Sequence, residues 1–103
     1  MITENFMLPR EAVKEALAKV INNQNLSIIS SDNISGLTRI KTSKQSAFRC
    51  QEVHVIITSG NFRQTKVKIS CLKLVLGLSI PFSSFATEEI KFMDELKTQI
   101  HKV

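Results

Sequence analysis

The 103-residue chain contains neither tryptophan nor tyrosine, so its only aromatic side chains are six phenylalanines. Glycine occurs three times and proline twice, which is too seldom for a long flexible or proline-rich linker. Hydrophobic residues make up 43% and charged residues 22% of the chain, the proportions of a folded protein rather than a disordered one. The length predicts a single domain, residues 1–103, with a hydrophobic core of its own.

A long hydrophobic run is also missing. The most apolar stretch, residues 72–82, is interrupted by Lys73 and Gly77, and it is shorter than the about 20 residues that a membrane-spanning helix needs. Residues 1–9 contain neither the basic cluster nor the apolar segment of a secretory signal. We therefore expect a soluble, cytoplasmic protein; a mature chain cut from a longer precursor would have the same features.

Apolar residues recur with helical spacing at both ends of the chain. The first predicted helix begins at Pro9, which suits a first helical turn, and ends at the asparagines of residues 22–25. The second extends over about residues 88–102, with Glu88 and Glu89 at its start, where the helix dipole favours acids. The expected buried stripes are Val13, Ala16, Leu17, Val20 and Ile21 in the first helix and Ile90, Met93, Leu96 and Ile100 in the second.

Four strands are predicted between the helices, at residues 26–31, 37–42, 49–58 and 65–72. Gly36 closes the turn between the first two, because glycine readily adopts positive φ. Residues 2–8 form either a short edge strand or a loose arm, and residues 72–82 either extend the last strand or turn at Gly77 toward the second helix. The order (β)-α-β-β-β-β-α indicates an α+β fold, an antiparallel sheet of four to five strands with the N-terminal and C-terminal helices on one face.

The alternation of apolar and polar residues constrains the pairing of the last two strands. Residues directly opposite each other share a face of the sheet, so buried residues must oppose buried residues. A five-residue loop, residues 59–63, satisfies this condition by placing Ile57 opposite Thr65. The same pairing sets His54 opposite Lys68 on the outer face.

Cys50, Glu52 and His54 are a trio with the residue types of a nucleophilic or a metal site. Strand spacing separates Cys50 from His54 by about 13 Å, which is too far for a hydrogen bond, so we expect no catalytic role. The predicted pairing directs Cys71 to the core and Cys50 outward, which excludes a disulfide bond between them. Because phosphate-binding loops and Cys-x-x-Cys motifs are also missing, we predict a non-enzymatic protein without cofactor or metal. The carboxylates of the second helix alternate with lysines as on a solvated helix surface: Glu88, Glu89, Asp94 and Glu95.

Residues 8–41 resemble small bacterial helix-plus-sheet domains. The similarity rests on Pro-Arg-Glu-Ala-Val (9–13), Leu-Ser-Ile-Ile-Ser-Ser-Asp (26–32) and Gly-Leu-Thr-Arg-Ile (36–40), with an apolar helix between the first two. Such domains occur in the helix-grip modules of the outer-membrane assembly lipoprotein BamC and in uncharacterised families of similar layout. The resemblance implies a non-enzymatic binding or scaffold module. It does not imply membrane anchoring, because the lipoprotein signal is missing here.

Positive charge is concentrated on the predicted strands rather than on the helices. Between Arg39 and Lys73 there are eight basic residues and one acid, Glu52, so this segment carries +7 and the remaining residues −2 of the net +5. The period of two places Lys66 and Lys68 on the outer face of the sheet. The candidate binding residues of this face are Arg39, Lys41, Arg49, Arg63, Lys66 and Lys68.

Three interpretations of this charge compete. Lysines on strands keep sheet edges from pairing with other chains, cations steer an acidic protein surface into contact, and phosphates of nucleic acid require cations. Sheets that bind nucleic acid usually add aromatic side chains for base stacking, and only Phe48 and Phe62 flank the basic strands. We predict a small binding or accessory module for an acidic macromolecule, a protein surface ahead of nucleic acid. A further alternative is a small-ligand-binding α+β fold with a cavity between sheet and helices.

Overall fold

The structure is a computed structural model that describes residues 1–43, 48, 50–59, 64–75, 78–81 and 86–101, with residues 73–75 and 78–81 described by their backbone alone. Within them the elements follow the order β1 (Ile2–Phe6), α1 (Arg10–Asn23), β2 (Ser27–Ser31), β3 (Leu37–Lys41), β4 (Glu52–Ser59), β5 (Thr65–Val75), β6 (Leu78–Pro81) and α2 (Ala86–His101). No helix in this described part of the chain is long and apolar enough to cross a membrane.

The described strands belong to one antiparallel sheet, in which neighbours follow the order β1-β5-β4-β3-β2. Strand β6 folds back beside the far end of β5. Leu72 opposes Glu52 of β4 on one side and Pro81 of β6 on the other, so β6 follows β1 along the same edge of β5. The N-terminal segment thus contains an edge strand, and the apolar segment after Leu72 first extends β5 and then returns as β6. This architecture confirms the predicted α+β fold, but β6 gives the described sheet six strands instead of the predicted four to five.

Both helices pack on the same face of the sheet. They contact each other, and they lie over the neighbouring strands β4 and β5. Together with the inward side chains of the strands they form one continuous hydrophobic core, and the burial of this apolar surface is the main force that stabilises the fold. The predicted stripe of α1 is confirmed at four of its five positions, which are buried: Val13, Ala16, Leu17 and Val20. The inward residues of the strands are Ile40, Val53, Val55, Ile57, Val67, Ile69 and Cys71.

The buried face of α2 differs from the prediction. Phe92, Met93 and Leu96 are buried, whereas Ile90 is half exposed. Phe92 occupies a core position because its ring packs against Phe48, with 5.3 Å between the ring centroids and 45° between the planes. Phe48 comes from the segment that precedes β4. A contact between distant residues therefore gives α2 a buried face that its own apolar spacing did not indicate.

The β4–β5 hairpin keeps the predicted faces but not the predicted register. Ile57 lies opposite Val67 rather than Thr65. His54 consequently opposes Ser70, and its predicted pairing with a lysine is wrong. Five residues still separate the paired strands, but the loop starts one residue later. In this register the inward apolar residues of the two strands oppose one another without interruption, which stabilises the hairpin.

The turn between β2 and β3 requires its glycine. Gly36 has a φ of +76°, as predicted, and a Cβ atom there would lie 2.1 Å from the carbonyl oxygen of Ile57. This close approach lets the amide of Ile57 donate a hydrogen bond to the carbonyl oxygen of Gly36, at 2.9 Å. The carboxylate of Asp32 accepts hydrogen bonds from the amide of Ile34 at 2.9 Å and from the hydroxyl of Ser35 at 3.1 Å. Side chain and backbone together fix the turn.

Candidate binding surface on the open sheet face

The face of the sheet that points away from the helices carries basic side chains on the two strands that flank β4. Arg39 and Lys41 lie on β3, and Lys66 and Lys68 lie on β5. Each alternates along its strand with a buried residue that points to the core. We call these four residues the basic face. Because neighbouring strands lie about 4.8 Å apart, about 10 Å separates β3 from β5 across β4. The two pairs of cations are also offset along the strands, since Arg39 is level with Ser70 of β5, and Lys68 is level with Leu37 of β3.

The basic face consists of the sequence-predicted residues that the structure describes with their side chains. Arg49 and Arg63, predicted for the same surface, lie outside the described residues, as do Lys44 and the side chain of Lys73. Their contribution to the surface stays a prediction. The four described cations form two pairs, one on β3 and one on β5.

Glu52 shares this face but is almost completely buried, at 3% exposure. Its Oε1 atom lies 2.9 Å from Nη2 of Arg39 and 3.4 Å from Nε2 of His54. One carboxylate oxygen is therefore shared by a guanidinium and an imidazole. Because the Arg39 side chain is 38% exposed, the negative charge is shielded from solvent while part of the positive charge stays accessible.

Apolar side chains lie among the cations of the open face. Leu37 of β3 opposes Ile56 of β4, and Ile56 opposes Lys68 on the next strand. Both apolar side chains are half-buried, so part of each is available to a partner. The surface is thus a mixture of basic and aliphatic groups.

Within the described residues, the open face carries no phenylalanine. Phe6 opposes Thr65, a buried residue of β5, so its ring is directed toward the helix side. Phe48 and Phe92 are buried against each other. The described part of the sheet therefore provides no aromatic platform on which bases could stack.

Cys50 does not point outward, and this prediction is wrong. Cys50 and Cys71 are both buried, free cysteines of the core. Cys50 precedes β4 in a bend, so the alternation of the strand does not extend to it. The thiol of Cys71 donates a hydrogen bond to Cys50, which lowers the pKa of Cys50 and raises the pKa of Cys71. Because Cys50 lies on the helix side of the sheet, away from Glu52 and His54, the trio does not assemble.

Two carboxylates at the start of α2 are also buried, although the sequence predicted a solvated surface for them. Oε2 of Glu89 accepts a hydrogen bond from the backbone amide of Cys71 at 2.8 Å, and Oε1 lies 2.7 Å from the amino group of Met1. Glu88, the preceding residue, is also buried but is more exposed than Glu89, at 9%. The described residues nevertheless contain no cluster of three or more side chains that could hold a metal ion. We assign these acids a structural role.

Comparison with known proteins assigns no relative. No protein-family model and no curated protein matches the chain. The resemblance of residues 8–41 to the BamC helix-grip modules therefore stays a prediction. The function has to be argued from the geometry of the open face.

Proposed function

We propose that the chain is a small non-enzymatic binding or accessory module that engages an acidic macromolecule through the basic face. The observation that carries this proposal is the contrast on the open face: its four described cations point outward, while Glu52 is buried beneath Arg39. An approaching partner therefore meets positive charge. Such a charge distribution accelerates the encounter with an acidic surface and disfavours basic partners.

An acidic protein surface suits this face better than nucleic acid does. Leu37 and Ile56 add accessible apolar area beside Lys68, and protein–protein interfaces combine apolar and polar contacts in this way. A sheet that binds nucleic acid would be expected to present stacking aromatics, and the described residues place none there. A ligand cavity between sheet and helices is the less favoured alternative, because the buried residues form one core cluster and the spaces described at the margins of the sheet, beside β1 and β2, are open grooves.

The test uses lysines whose side chains make no ion pair or hydrogen bond with the described residues. Arg39 is unsuitable because it neutralises the buried Glu52. We therefore compare the double variant Lys66→Gln/Lys68→Gln with the single variant Lys19→Glu. Both lower the net charge by two units, but Lys19 is exposed on α1, away from the basic face. The comparison separates the position of the charge from its amount.

Wild type and both variants are used to capture partners from a host lysate, and the captured partner is then titrated against each by calorimetry. We expect the double variant to bind about five-fold more weakly, as for two surface ion pairs, and Lys19→Glu to bind like wild type. If all three proteins bound the partner with equal affinity, the proposal that the basic face binds it would be contradicted. If instead oligonucleotides bind, if that binding weakens steeply with salt, and if it is lost in the double variant, the partner of the basic face is nucleic acid and not an acidic protein.

A further inference from the structure

The strand at one edge of the sheet, β2, is open on its outer side. Among the described strands it pairs with β3 alone, and all five of its residues are exposed. Its sequence, Ser-Ile-Ile-Ser-Ser, lacks the lysines and prolines that commonly protect a sheet edge from other chains. The opposite edge strand, β1, also pairs with one described strand alone, but its alternate residues are half-buried, α2 contacts it, and Lys97 pairs with Glu4 at 2.8 Å.

The open edge presents two exposed isoleucines, and the pairing places Ile28 on the helix side of the sheet. Ile28 is 56% exposed and Ile29 is 44% exposed. Ile28 opposes the buried Ile40, so its side chain projects toward the helices, where it forms one wall of an open groove of about 170 Å³. Ala18 and Ile21 of α1 contribute the other wall, and the groove is also lined by polar and charged residues: Lys14, Ser31, Asn33 and Thr38. A cavity of about 150 Å³ holds a benzene ring, so this groove has room for one apolar side chain.

On the open face, the same edge is positively charged. Ser27 opposes Lys41, and Ser30 opposes Arg39. The serine side chains are short, so they leave Lys41 and the exposed part of Arg39 accessible from the edge, although Nη2 of Arg39 is paired with Glu52 of β4. A strand added beside β2 would lie two strand spacings, about 10 Å, from β3. A long basic side chain and a glutamate can span this gap together, so carboxylates on the added strand would meet Lys41 and Arg39.

We propose that the free edge of β2 binds an extended segment of the acidic partner as an additional strand, with an apolar side chain in the groove and carboxylates toward Lys41 and Arg39. Successive side chains of a strand point to opposite faces, so the segment alternates apolar and acidic residues. Main-chain hydrogen bonds provide affinity in such complexes, and the alternate side chains provide specificity. This inference rests on the proposed function, because it takes the partner to be acidic.

A second copy of this chain fits the edge less well. Each copy carries a net charge of +5, so two copies repel each other. A β-bulge between Ile28 and Ser30 increases the twist of β2, and a symmetric pair would bring two bulges together. Moreover, β2 has no carboxylate to offer Lys41 and Arg39. A separate acidic strand avoids all three difficulties.

The probe is a capped, fluorescein-labelled peptide of alternating glutamate and valine, about ten residues long, which is the length of a long strand. A glutamate–serine peptide keeps the charge without the apolar side chains, and a lysine–valine peptide reverses the charge. Fluorescence anisotropy measures affinity, and NMR shifts of backbone amides locate the site. We expect the glutamate–valine peptide to bind about ten-fold more tightly than either control, with the largest shifts at residues 27–31.

Matched variants test the groove. Ile28→Gln removes the apolar wall of the groove and should weaken binding of the glutamate–valine peptide about ten-fold. Ile90→Gln is the control, because Ile90 is 52% exposed but lines a different groove, between α2 and β1. The Ile90→Gln variant should bind the glutamate–valine peptide with the same affinity as wild type. Both positions are exposed, and circular dichroism confirms that both variants fold.

Equal binding by Ile28→Gln and Ile90→Gln, shifts at another edge, or no binding of any peptide would overturn the edge site. The glutamate–serine peptide could bind as tightly as the glutamate–valine peptide, with this binding lost in Lys66→Gln/Lys68→Gln. That result would support the proposed function and contradict the edge site. Peptide binding at β2 together with unchanged partner capture by that double variant would support the edge site and contradict a binding role for Lys66 and Lys68. A dimer in sedimentation equilibrium that Ile28→Gln dissociates would assign the edge to a second copy instead.

Discussion

The backbone amide of Cys71 donates a hydrogen bond to Oε2 of Glu89, with 2.8 Å between the two atoms. Cys71 lies where β5 has passed the end of β1 and has not yet met β6. The amide would otherwise face this gap without an acceptor, and an unsatisfied buried donor is destabilising. Glu89, which is 2% exposed, thus supplies the acceptor that a neighbouring strand would supply elsewhere in the sheet.

Replacing Glu89 by alanine should destabilise the fold by about 1–3 kcal/mol, the cost of a buried amide that loses its acceptor. Glu89→Gln keeps an oxygen for the amide and should cost less. Urea denaturation measures both free energies of unfolding. The control is Glu95→Ala, on the partly exposed side of the same helix, which should change the free energy by less than about 0.5 kcal/mol. Similar losses in the two alanine variants would mean that the amide finds another acceptor.

The stabilities of Arg39 and Glu52 variants should be coupled. Arg39→Met leaves the buried carboxylate of Glu52 without its guanidinium, whereas the same change in a Glu52→Gln background leaves no charge behind. We expect Arg39→Met to cost about 1–2 kcal/mol more in the first case, since the partial exposure of Arg39 keeps the coupling below that of a fully buried pair. A double-mutant cycle in urea measures the difference. Lys66→Met should show no coupling to Glu52→Gln, and additive effects of the Arg39 and Glu52 changes would contradict the pairing.

The basic face was predictable because it depends on neighbours within single strands. Alternation along β5 is sufficient to place Lys66 and Lys68 on the other face of the sheet from the buried Val67. On β3 it separates Arg39 from the buried Ile40 in the same way. The buried stripe of α1 and the positive φ in the β2–β3 turn are likewise local properties. Each follows from residue types at fixed spacing.

Features that depend on contacts between distant segments were not predictable. The β4–β5 register shifts by two residues without moving any side chain to the other face, so alternation cannot distinguish the two pairings. Cys50 lies two residues before β4, where a bend sets its direction. Glu89 is buried because β1 and β6 leave a gap beside β5, and Glu52 is buried because the β3–β4 pairing brings Arg39 over it. No local pattern indicates either contact.

The two buried cysteines should react with an alkylating reagent in a fixed order. The hydrogen bond from Cys71 lowers the pKa of Cys50, and the same contact together with burial raises the pKa of Cys71. The thiolate is the reactive form, and a bend opens locally more easily than the middle of a paired strand. Iodoacetamide should therefore label Cys50 before Cys71. Mass spectrometry of the cysteine peptides at successive times measures the order.

The order should disappear when its structural causes are removed. In concentrated urea both cysteines should be labelled at the same rate, because burial and the thiol hydrogen bond are lost. In the Cys71→Ala variant Cys50 loses its hydrogen-bond donor, so its pKa rises and its labelling near neutral pH slows. Native protein in which Cys71 reacts first, or in which both react at one rate, would contradict the prediction.

Acid should weaken the β2–β3 turn through Asp32. The amide of Ile34 and the hydroxyl of Ser35 donate to its ionised carboxylate, which lowers the pKa of Asp32 below the ordinary value of 3.8. A group with a lowered pKa stabilises the fold fully above its unfolded value, and this contribution is lost as the pH falls through the lower folded value. NMR titration should therefore show a lower midpoint for Asp32 in wild type than in Ser35→Ala.

A stability measurement also tests this coupling between the protonation of Asp32 and the free energy of unfolding. Asp32→Ala should destabilise the protein at neutral pH. The difference from wild type should shrink as the pH falls from about 3.8, where the carboxylate of the unfolded chain becomes protonated, through the lower pKa of the folded chain. Asn33→Ala is the control, because Asn33 is an exposed, uncharged residue of the same turn, so its effect should not vary with pH. Urea unfolding at a series of pH values gives both curves. If the difference between wild type and Asp32→Ala stayed constant down to the most acidic value, the carboxylate would not have the lowered pKa that its two hydrogen bonds imply.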